Sequence, residues 1–260
     1  MPELPDVEVF KQYVDATSLH QKIETVRVLA PAMLTEITDK ELKNALEGGE
    51  FESTRRHGKY LFITLDRGSN LVLHFGMTGF LLYFKNTEKG PSHERLLISF
   101  SNGYHLAYDC QRKLGQVTLV QSIDTFLEER QLGTDALEFE FPPFKEGLSS
   151  KRSAVKSALM DQKLIAGIGN IYSDEILFQS GIRPQKKASQ LDENALRKLF
   201  KKMNEVLTTA IESRADPEQF PEDYLIPHRR GERRCPKCGA GIQTKKVAGR
   251  TAYFCPRCQK

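Results

Sequence analysis

The chain has 260 residues, of which 39% are hydrophobic and 28% charged, with a net charge of +4; this is the balance of a globular protein, not of a disordered or fibrous one. Its acidic, proline-containing start lacks the basic flank and apolar core of a secretory signal. No apolar run reaches the roughly 20 residues that a membrane helix needs, so a cytoplasmic location is expected, or a nuclear one in a eukaryote, with no membrane partner.

The charge is unevenly spread. From residue 228 to residue 260 there are ten Lys/Arg and one acid, Glu232, so the rest of the chain is net acidic. A basic tail of this kind is the electrostatic footprint of a protein that meets a polyanion.

Met1-Pro2-Glu3 opens the chain. Removal of the initiator Met would leave Pro2 as a free secondary amine beside the Glu3 carboxylate. An α-amino group titrates near pH 7.7–8, so part of it is unprotonated at neutral pH. It can then attack an electrophilic carbon and become an iminium, an electron sink, while Glu3 moves protons. Pro2 is common at this position, and alone the tripeptide carries little weight.

Pro5 is expected to start a helix with Val7, Phe10 and Val14 on one face. From Lys22 the pattern turns to β over residues 23–29, 51–65 and 71–84, interrupted by a short helix over 39–46. Asn102-Gly103 between two apolar runs predicts a hairpin, and residues 116–121 another strand. Residues 1–130 therefore read as a β-sandwich or barrel with a leading helix. Within them, Arg55-Arg56-His57-Gly58-Lys59 precedes an apolar strand, where Lys59 suits a phosphate as well as a plain exposed edge. His74-Phe75-Gly76-Met77-Thr78-Gly79 is a strand and a glycine-flanked turn presenting Met77, which also reads as core filler. His57 and His74 form no pair or triad and read as structural or phosphate-adjacent; lone Cys110 reads as an inert buried thiol.

Residues 131–150, with Gly133, Pro142-Pro143 and Gly147, read as a linker. Beyond it the period is helical over 153–160, 170–179 and 193–214. A β-rich half followed by an α-rich half implies separate domains, here 1–130 and 151–228 with a module at 229–260, and the cleft between the halves is the default site. Gly167-Ile168-Gly169-Asn170 delivers Asn170 to a helix start, whose free N–H groups and dipole favour an anion such as a phosphate; an ordinary capped turn fits as well.

Cys235, Cys238, Cys255 and Cys258 follow the pattern C-x₂-C-x₁₆-C-x₂-C, the spacing of a four-cysteine zinc site. With no secretory signal to favour disulfides, one structural zinc ion is expected. It would replace a hydrophobic core in this short segment, contributing on the order of 10 kcal/mol to local folding. Four thiolates leave no open position for water, so the metal is not the catalyst.

In this order, Pro2-Glu3-Leu4-Pro5, the His74–Gly79 segment, Ala166-Gly167-Ile168-Gly169-Asn170-Ile171-Tyr172 and the four-cysteine module resemble the formamidopyrimidine-DNA glycosylase/endonuclease VIII family of base-excision repair enzymes, from Pro2 to Cys258. Leu4 places the chain nearer the formamidopyrimidine branch, since Pro-Glu-Gly-Pro is usual in the other. The resemblance implies an α+β fold: an N-terminal β-sandwich with a leading helix, then a C-terminal helix–two-turns–helix domain plus a four-cysteine zinc finger. It also implies a bifunctional glycosylase and lyase that acts as a monomer on damaged DNA, nucleoid-associated in a bacterium or archaeon. Pro2 would attack C1′ of the damaged nucleoside, release the base and form a Schiff base with the opened sugar; β- and then δ-elimination would cut both sides of the lesion. Glu3 matches the family's acid/base. Lys59, Asn170 and Arg250 match its phosphate grips around the flipped nucleotide, and Lys156 is counted with Asn170 as a DNA contact. Met77 and Arg112 match two of three side chains that fill the void left by extrusion. The third, ordinarily aromatic, is Leu114, which still wedges between bases but loses ring stacking.

Three departures from the family pattern bear on specificity. Residues 109–115, Asp-Cys-Gln-Arg-Lys-Leu-Gly, replace Asp-Pro-Arg-Arg-Phe-Gly in the region that meets the base opposite the lesion. Asp6 stands where a glutamate is usual, with activity expected to survive. The stretch 214–235 is shorter than the family's loop over 8-oxoguanine. That implies an open pocket with weak 8-oxoguanine excision, and a preference for formamidopyrimidines, oxidised pyrimidines, hydantoins or abasic sites. Two other readings stay open at this point: a lesion-binding relative without chemistry, if Met1 is retained, and an RNA-binding zinc-ribbon protein, suggested by the tail alone.

Overall fold

Two glycines decide how the β-rich half folds. Each of the long β patterns at 51–65 and 71–84 is broken by a left-handed glycine, Gly58 (φ 55°) and Gly76 (φ 57°), a conformation that costs other residues energy. The computed structural model therefore shows four strands there: β2 (Phe51–His57), β3 (Tyr60–Leu65), β4 (Asn70–His74) and β5 (Gly79–Phe84). Lys59 and Met77 directly follow the two reversals. The model describes all residues except 87, 89 and 230–233.

With β1 (Ile23–Val28), β6 (Glu94–Phe100), β7 (His105–Cys110) and β8 (Gln116–Val120), these strands form two four-stranded antiparallel sheets, ordered β1-β6-β7-β5 and β2-β3-β4-β8. Leu61, Ile63, Leu71 and Leu73 of one sheet share a core with Ile98, Phe100, Leu106 and Tyr108 of the other, the alternation that a sandwich requires. Helix α1 (Leu4–Thr17) adds Val7 and Val14 to it. Helix α2 (Asp39–Leu46) has the expected span and starts at a capping box of Thr38 and Glu41. Helix α3 (Ile123–Glu129) was not foreseen; it is capped by Ser122 and sets Phe126 against Phe62 and Val72 on the outer face of a sheet.

By its internal contacts the chain divides into Met1–Pro2 with Asp6–Arg130, and Glu3–Pro5 with Gln131–Lys260. The second unit corrects one expectation. Residues 131–150 are not a linker: β9 (Thr134–Asp135) pairs with β10 (Ile165–Ala166), and α4 (Phe141–Ser149) buries Phe144 and Leu148 completely. Pro142 and Pro143 sit in the first turn of α4, where a missing N–H is harmless, and burial of its two apolar anchors stabilises by about 2–3 kcal/mol each.

Helix α5 (Val155–Leu159), shorter than its pattern, leads through a turn at 161–165 and a glycine turn at 167–169 into α6 (Asn170–Ser180): a helix, two turns and a helix. Gln162 staples the two turns, donating to the Met160 and Ile168 carbonyls and accepting from Gly167 N–H. Helix α7 (Glu193–Glu212) packs Leu196, Leu199, Met203, Val206 and Leu207 into the same core. Strands β11 (Gln243–Val247) and β12 (Arg250–Phe254) form the terminal hairpin beside the four cysteines. Among the described residues no helix is long and apolar enough to cross a membrane. Residues 230–233, part of the shortened stretch 214–235, lie outside the described residues.

Candidate functional site

The start of α6 does hold an anion, but it is the chain's own. Glu3 is fully buried, and its carboxylate accepts from the backbone N–H groups of Gly169 (2.7 Å), Ile171 (2.8 Å) and Tyr172 (3.2 Å). These are orphan donors of a helix N-terminus, whose dipole favours negative charge. These three N–H groups are therefore taken by Glu3, which leaves the Asn170 side chain as the part of the helix start open to a phosphate. Leu4 N–H donates to the Gly167 carbonyl at 3.0 Å, so two consecutive residues fix the N-terminal segment on the glycine turn. Pro2, next to Glu3, is half-buried, and Met1 is exposed.

Gly167 has φ +111°, and a Cβ there would press on the Leu4 side chain; a Cβ on Gly169 would overlap the Glu3 carboxyl group. Both glycines of the motif are therefore explained by the N-terminal segment. Asn170 occupies the first turn of α6, with Gly169 as the capping residue. The Asn170 side-chain oxygen is buried with no hydrogen-bond partner among the described residues.

Lys156, expected to touch DNA, is wholly buried. Its ammonium donates to the Asn170 carbonyl (3.0 Å), Ser173 Oγ (2.9 Å) and Asp174 Oδ1 (2.6 Å), which uses all three of its protons. It braces the first turn of α6 instead of facing solvent. Asp174 also accepts from Arg229 and from Tyr253 N–H of β12, both at 3.1 Å, and Arg229 lies over the Tyr253 ring. Burial pushes the Lys156 pKa down and the Asp174 pKa up, while their mutual attraction opposes both shifts. Sequence reasoning missed Asp174. The available signal was an acid on a helix buried on nearly every side, where it needs a partner.

In the first unit, Lys59 sits in the tight reversal between β2 and β3, and His57 pairs with Tyr60 across it. Buried Arg56 donates to the Gly58 carbonyl (3.2 Å) and to Glu8 of α1 (2.7 Å), fixing the turn. The His74 ring packs beside that of Tyr60, tilted by 39°, and desolvation, helped by the Lys59 ammonium, lowers its pKa to about 4. It is neutral at pH 7.

The expected wedge residues come together. Arg112 Nη1 lies 3.0 Å from Met77 Sδ, and Arg112 N–H donates to Thr78 Oγ1 at 3.2 Å. Gly76 is packed so tightly on the Leu114 backbone that a Cβ would overlap it, and Gly115 is packed likewise against the Tyr108 hydroxyl. Tyr108 in turn donates to the His74 carbonyl at 2.9 Å. Met77 and Leu114 remain 41% and 50% exposed, two apolar side chains offered to solvent on a rigid base.

The four cysteine sulfurs lie within 4.8 Å of one another, with Cys235–Cys258 at 3.7 Å and Cys238–Cys255 at 3.5 Å. Tetrahedral coordination at about 2.3 Å would set each S–S edge near 3.8 Å, so the cluster fits one metal ion. Arg250 is exposed at the start of β12, just past the left-handed pair Ala248 (φ 47°) and Gly249 (φ 76°). Each unit thus carries part of the expected set: Pro2, Lys59, Met77, Arg112 and Leu114 in the first, Glu3, Asn170, Arg250 and the cysteines in the second.

Family models match three consecutive stretches: the formamidopyrimidine-DNA glycosylase N-terminal domain over residues 1–117, the H2TH domain of that enzyme over 132–221, and a zinc finger found in FPG and IleRS over 234–260. A formamidopyrimidine-DNA glycosylase of Pelotomaculum thermopropionicum is 32% identical over 274 aligned residues, covering all of this chain and 99% of the relative. That of Streptococcus mutans is 32% identical over 275, covering both completely. Among solved structures, the Lactococcus lactis Fpg in complex with DNA containing an abasic site superposes with a TM-score of 0.90 at 29% identity over 99% of both chains. MutM in complex with DNA containing carbocyclic 8-oxo-G gives 0.90 at 30% identity over both whole chains.

Proposed function

The chain belongs to the formamidopyrimidine-DNA glycosylase family, and we propose that it is a base-excision repair DNA glycosylase that also cleaves the strand as a lyase, using Pro2 as nucleophile. The observation that carries this reading is the carboxylate of Glu3, the residue after Pro2, which is buried and held by three backbone amides. An acid fixed so strictly, one residue from what would be a secondary amine once Met1 is removed, suits proton transfer at the sugar being attacked.

In this reading Met1 is removed and the Pro2 nitrogen attacks C1′ of the damaged nucleotide. The base leaves with the bonding electrons, and the sugar opens to an iminium that draws electrons from C2′. β-Elimination frees the 3′ phosphate and δ-elimination the 5′ phosphate. Glu3 shuttles protons at the sugar; Lys59, Asn170 and Arg250 grip phosphates; Met77, Arg112 and Leu114 fill the vacated stack. Residues 1–130 act as the catalytic domain, the helical region to residue 228 as the DNA-binding domain, and 229–260 as the finger. The cysteines would hold zinc, which supplies folding energy to the segment that carries Arg250. The protein works as a cytoplasmic, nucleoid-associated monomer on damaged DNA.

Its lesion choice is set by a pocket more open than that of its relatives. The relatives align over 274–275 positions, at least fourteen more than the residues of this chain. We expect formamidopyrimidines, oxidised pyrimidines, hydantoins or abasic sites to be processed faster than 8-oxoguanine; equal rates for 8-oxoguanine and formamidopyrimidine opposite cytosine would overturn that preference. Borohydride trapping on an abasic duplex, with N-terminal sequencing, tests the chemistry. A covalent adduct that is lost in Pro2→Gly supports it; no adduct from protein with a confirmed Pro2 terminus and tight DNA binding identifies a lesion-binding relative without chemistry.

A further inference from the structure

The end of α6 remote from Glu3 carries a groove that the reaction above does not use. It has a volume of about 530 Å³ and is lined by Arg183, Lys186, Lys245 and Lys260, with Gln185, Gln243 and Thr244 as neutral polar groups and Phe254 and Pro256 as apolar surface. Among the described residues no acidic side chain lines it. All four cations are exposed, which leaves their charge available.

The groove is rigid for reasons visible in its hydrogen bonds. Arg183 donates from Nε to the Gln259 carbonyl (3.0 Å) and from Nη2 to the Pro256 carbonyl (3.1 Å), which fixes the guanidinium plane. Gln259, fully buried, accepts from Cys255 N–H and donates to the Ile182 carbonyl, both at 2.8 Å. Arg183 N–H bonds the Lys260 carbonyl, and Lys260 N–H bonds the Gly181 carbonyl. The turn after α6 and the finger are therefore joined into one base, with Lys186 on one wall and Lys245 on the other. The carbonyls that would repel an anion at a helix C-terminus are in part satisfied: those of Leu177 and Phe178 accept from Ile182 and Gly181 N–H.

We propose that this groove is a second contact for the nucleic-acid backbone, gripping phosphates outside the lesion site. It rests on the DNA reading above and extends it. Because α6 has 11 residues and is about 16 Å long, the groove stands well apart from the Glu3 end, and its phosphates belong to nucleotides distinct from the damaged one. Neutralised phosphates release counterions, so each cation engaged adds about 0.9 to the slope of log affinity against log salt.

The test is fluorescence anisotropy on an abasic-analogue duplex of about 30 base pairs across a salt series, with Lys186→Gln/Lys245→Gln beside the native chain. A matched control, Lys22→Gln/Lys40→Gln, removes two exposed lysines elsewhere. The expected slope falls by about 1.8 in the groove variant, with the control unchanged and borohydride trapping at saturating protein undiminished. An unchanged slope, or an equal fall in the control, overturns the proposal, and continued trapping would show the lyase reading still standing. A fall confined to the groove variant with no adduct from the native chain supports the groove while removing the lyase chemistry.

Discussion

The Glu3 carboxylate rests 2.7 Å from the backbone nitrogen of Gly169, and the glycine is what leaves room for it, because a Cβ at 169 would overlap the carboxyl carbon and Oε1. Two segments 166 residues apart in sequence are thereby made into one feature, an acid delivered to a helix start by its own chain.

Gly169→Ala should accordingly displace the acid without altering its chemistry. We expect a stability loss of about 2–3 kcal/mol and a fall of more than tenfold in the rate of borohydride-trapped adduct formation on abasic DNA. Native trapping kinetics in a folded Gly169→Ala protein would show that the seat is dispensable.

Lys156→Met keeps the length of the side chain but leaves Asp174 buried with one cation fewer. Removing one partner of such a pair costs about 3–5 kcal/mol, and the loss should appear as a lowered denaturation midpoint. Lys156→Met/Asp174→Leu removes the stranded charge and should recover part of it. If the double variant is no more stable than the single one, the cost lies in the lost hydrogen bonds to Asn170 and Ser173 instead.

Much of this was legible in the sequence where local rules suffice. The sandwich strands, α2 with its capping box and the cysteine spacing each depend on nearest neighbours and period. Lys156 was expected at the DNA, and its burial was not legible, because only the fold reveals the aspartate 18 residues on that it pairs with. The first-turn prolines of α4 and the pair Gly133 and Gly147 mimicked a linker, since turn residues and helix starters share a composition. The carboxylate at the start of α6 was not legible, because no local rule brings residue 3 to residue 169.

Glu175 makes the stability of the protein depend on pH. It is buried on α6, and burial raises its pKa from 4.5 to about 7, opposed by hydrogen bonds from Gln179, Leu225 N–H and Ile226 N–H. The folded state therefore binds the proton more tightly than the unfolded state, and stability falls as pH rises from about 4.5 to about 7, by about 3 kcal/mol from this group. In Glu175→Gln that slope should vanish from urea-denaturation free energies measured across this range. A slope unchanged in the variant would assign the effect to another group.

Metal removal should act on the finger and not on the sandwich. Among the described residues the finger core is small, with Phe178, Leu225 and Ile242 packed on the cysteines beside Ala240 and Tyr253, so a strong chelator should unfold it and release Arg250. We expect affinity for lesion duplex to fall at least tenfold and the fall to reverse when zinc is restored. Undiminished affinity after complete metal loss would show that Arg250 is held by the hairpin alone.

The wedge offers the sharpest separation of position from chemistry. Its base is rigid: Gly115 sits against the Tyr108 hydroxyl, and Gly76 against the Leu114 backbone. Leu114 itself is half exposed, so changing it alters the surface it offers and not how the loop is built. If residue 114 enters the stack as proposed, Leu114→Phe adds ring stacking, worth about 1–3 kcal/mol per stacked base. It should tighten binding to an abasic duplex about tenfold or more while the melting temperature stays within a degree or two. Gly115→Ala should do the reverse, loosening the base and lowering stability and binding together. If Leu114→Phe leaves abasic-duplex affinity unchanged, residue 114 does not enter the stack and the void is filled by Met77 and Arg112 alone.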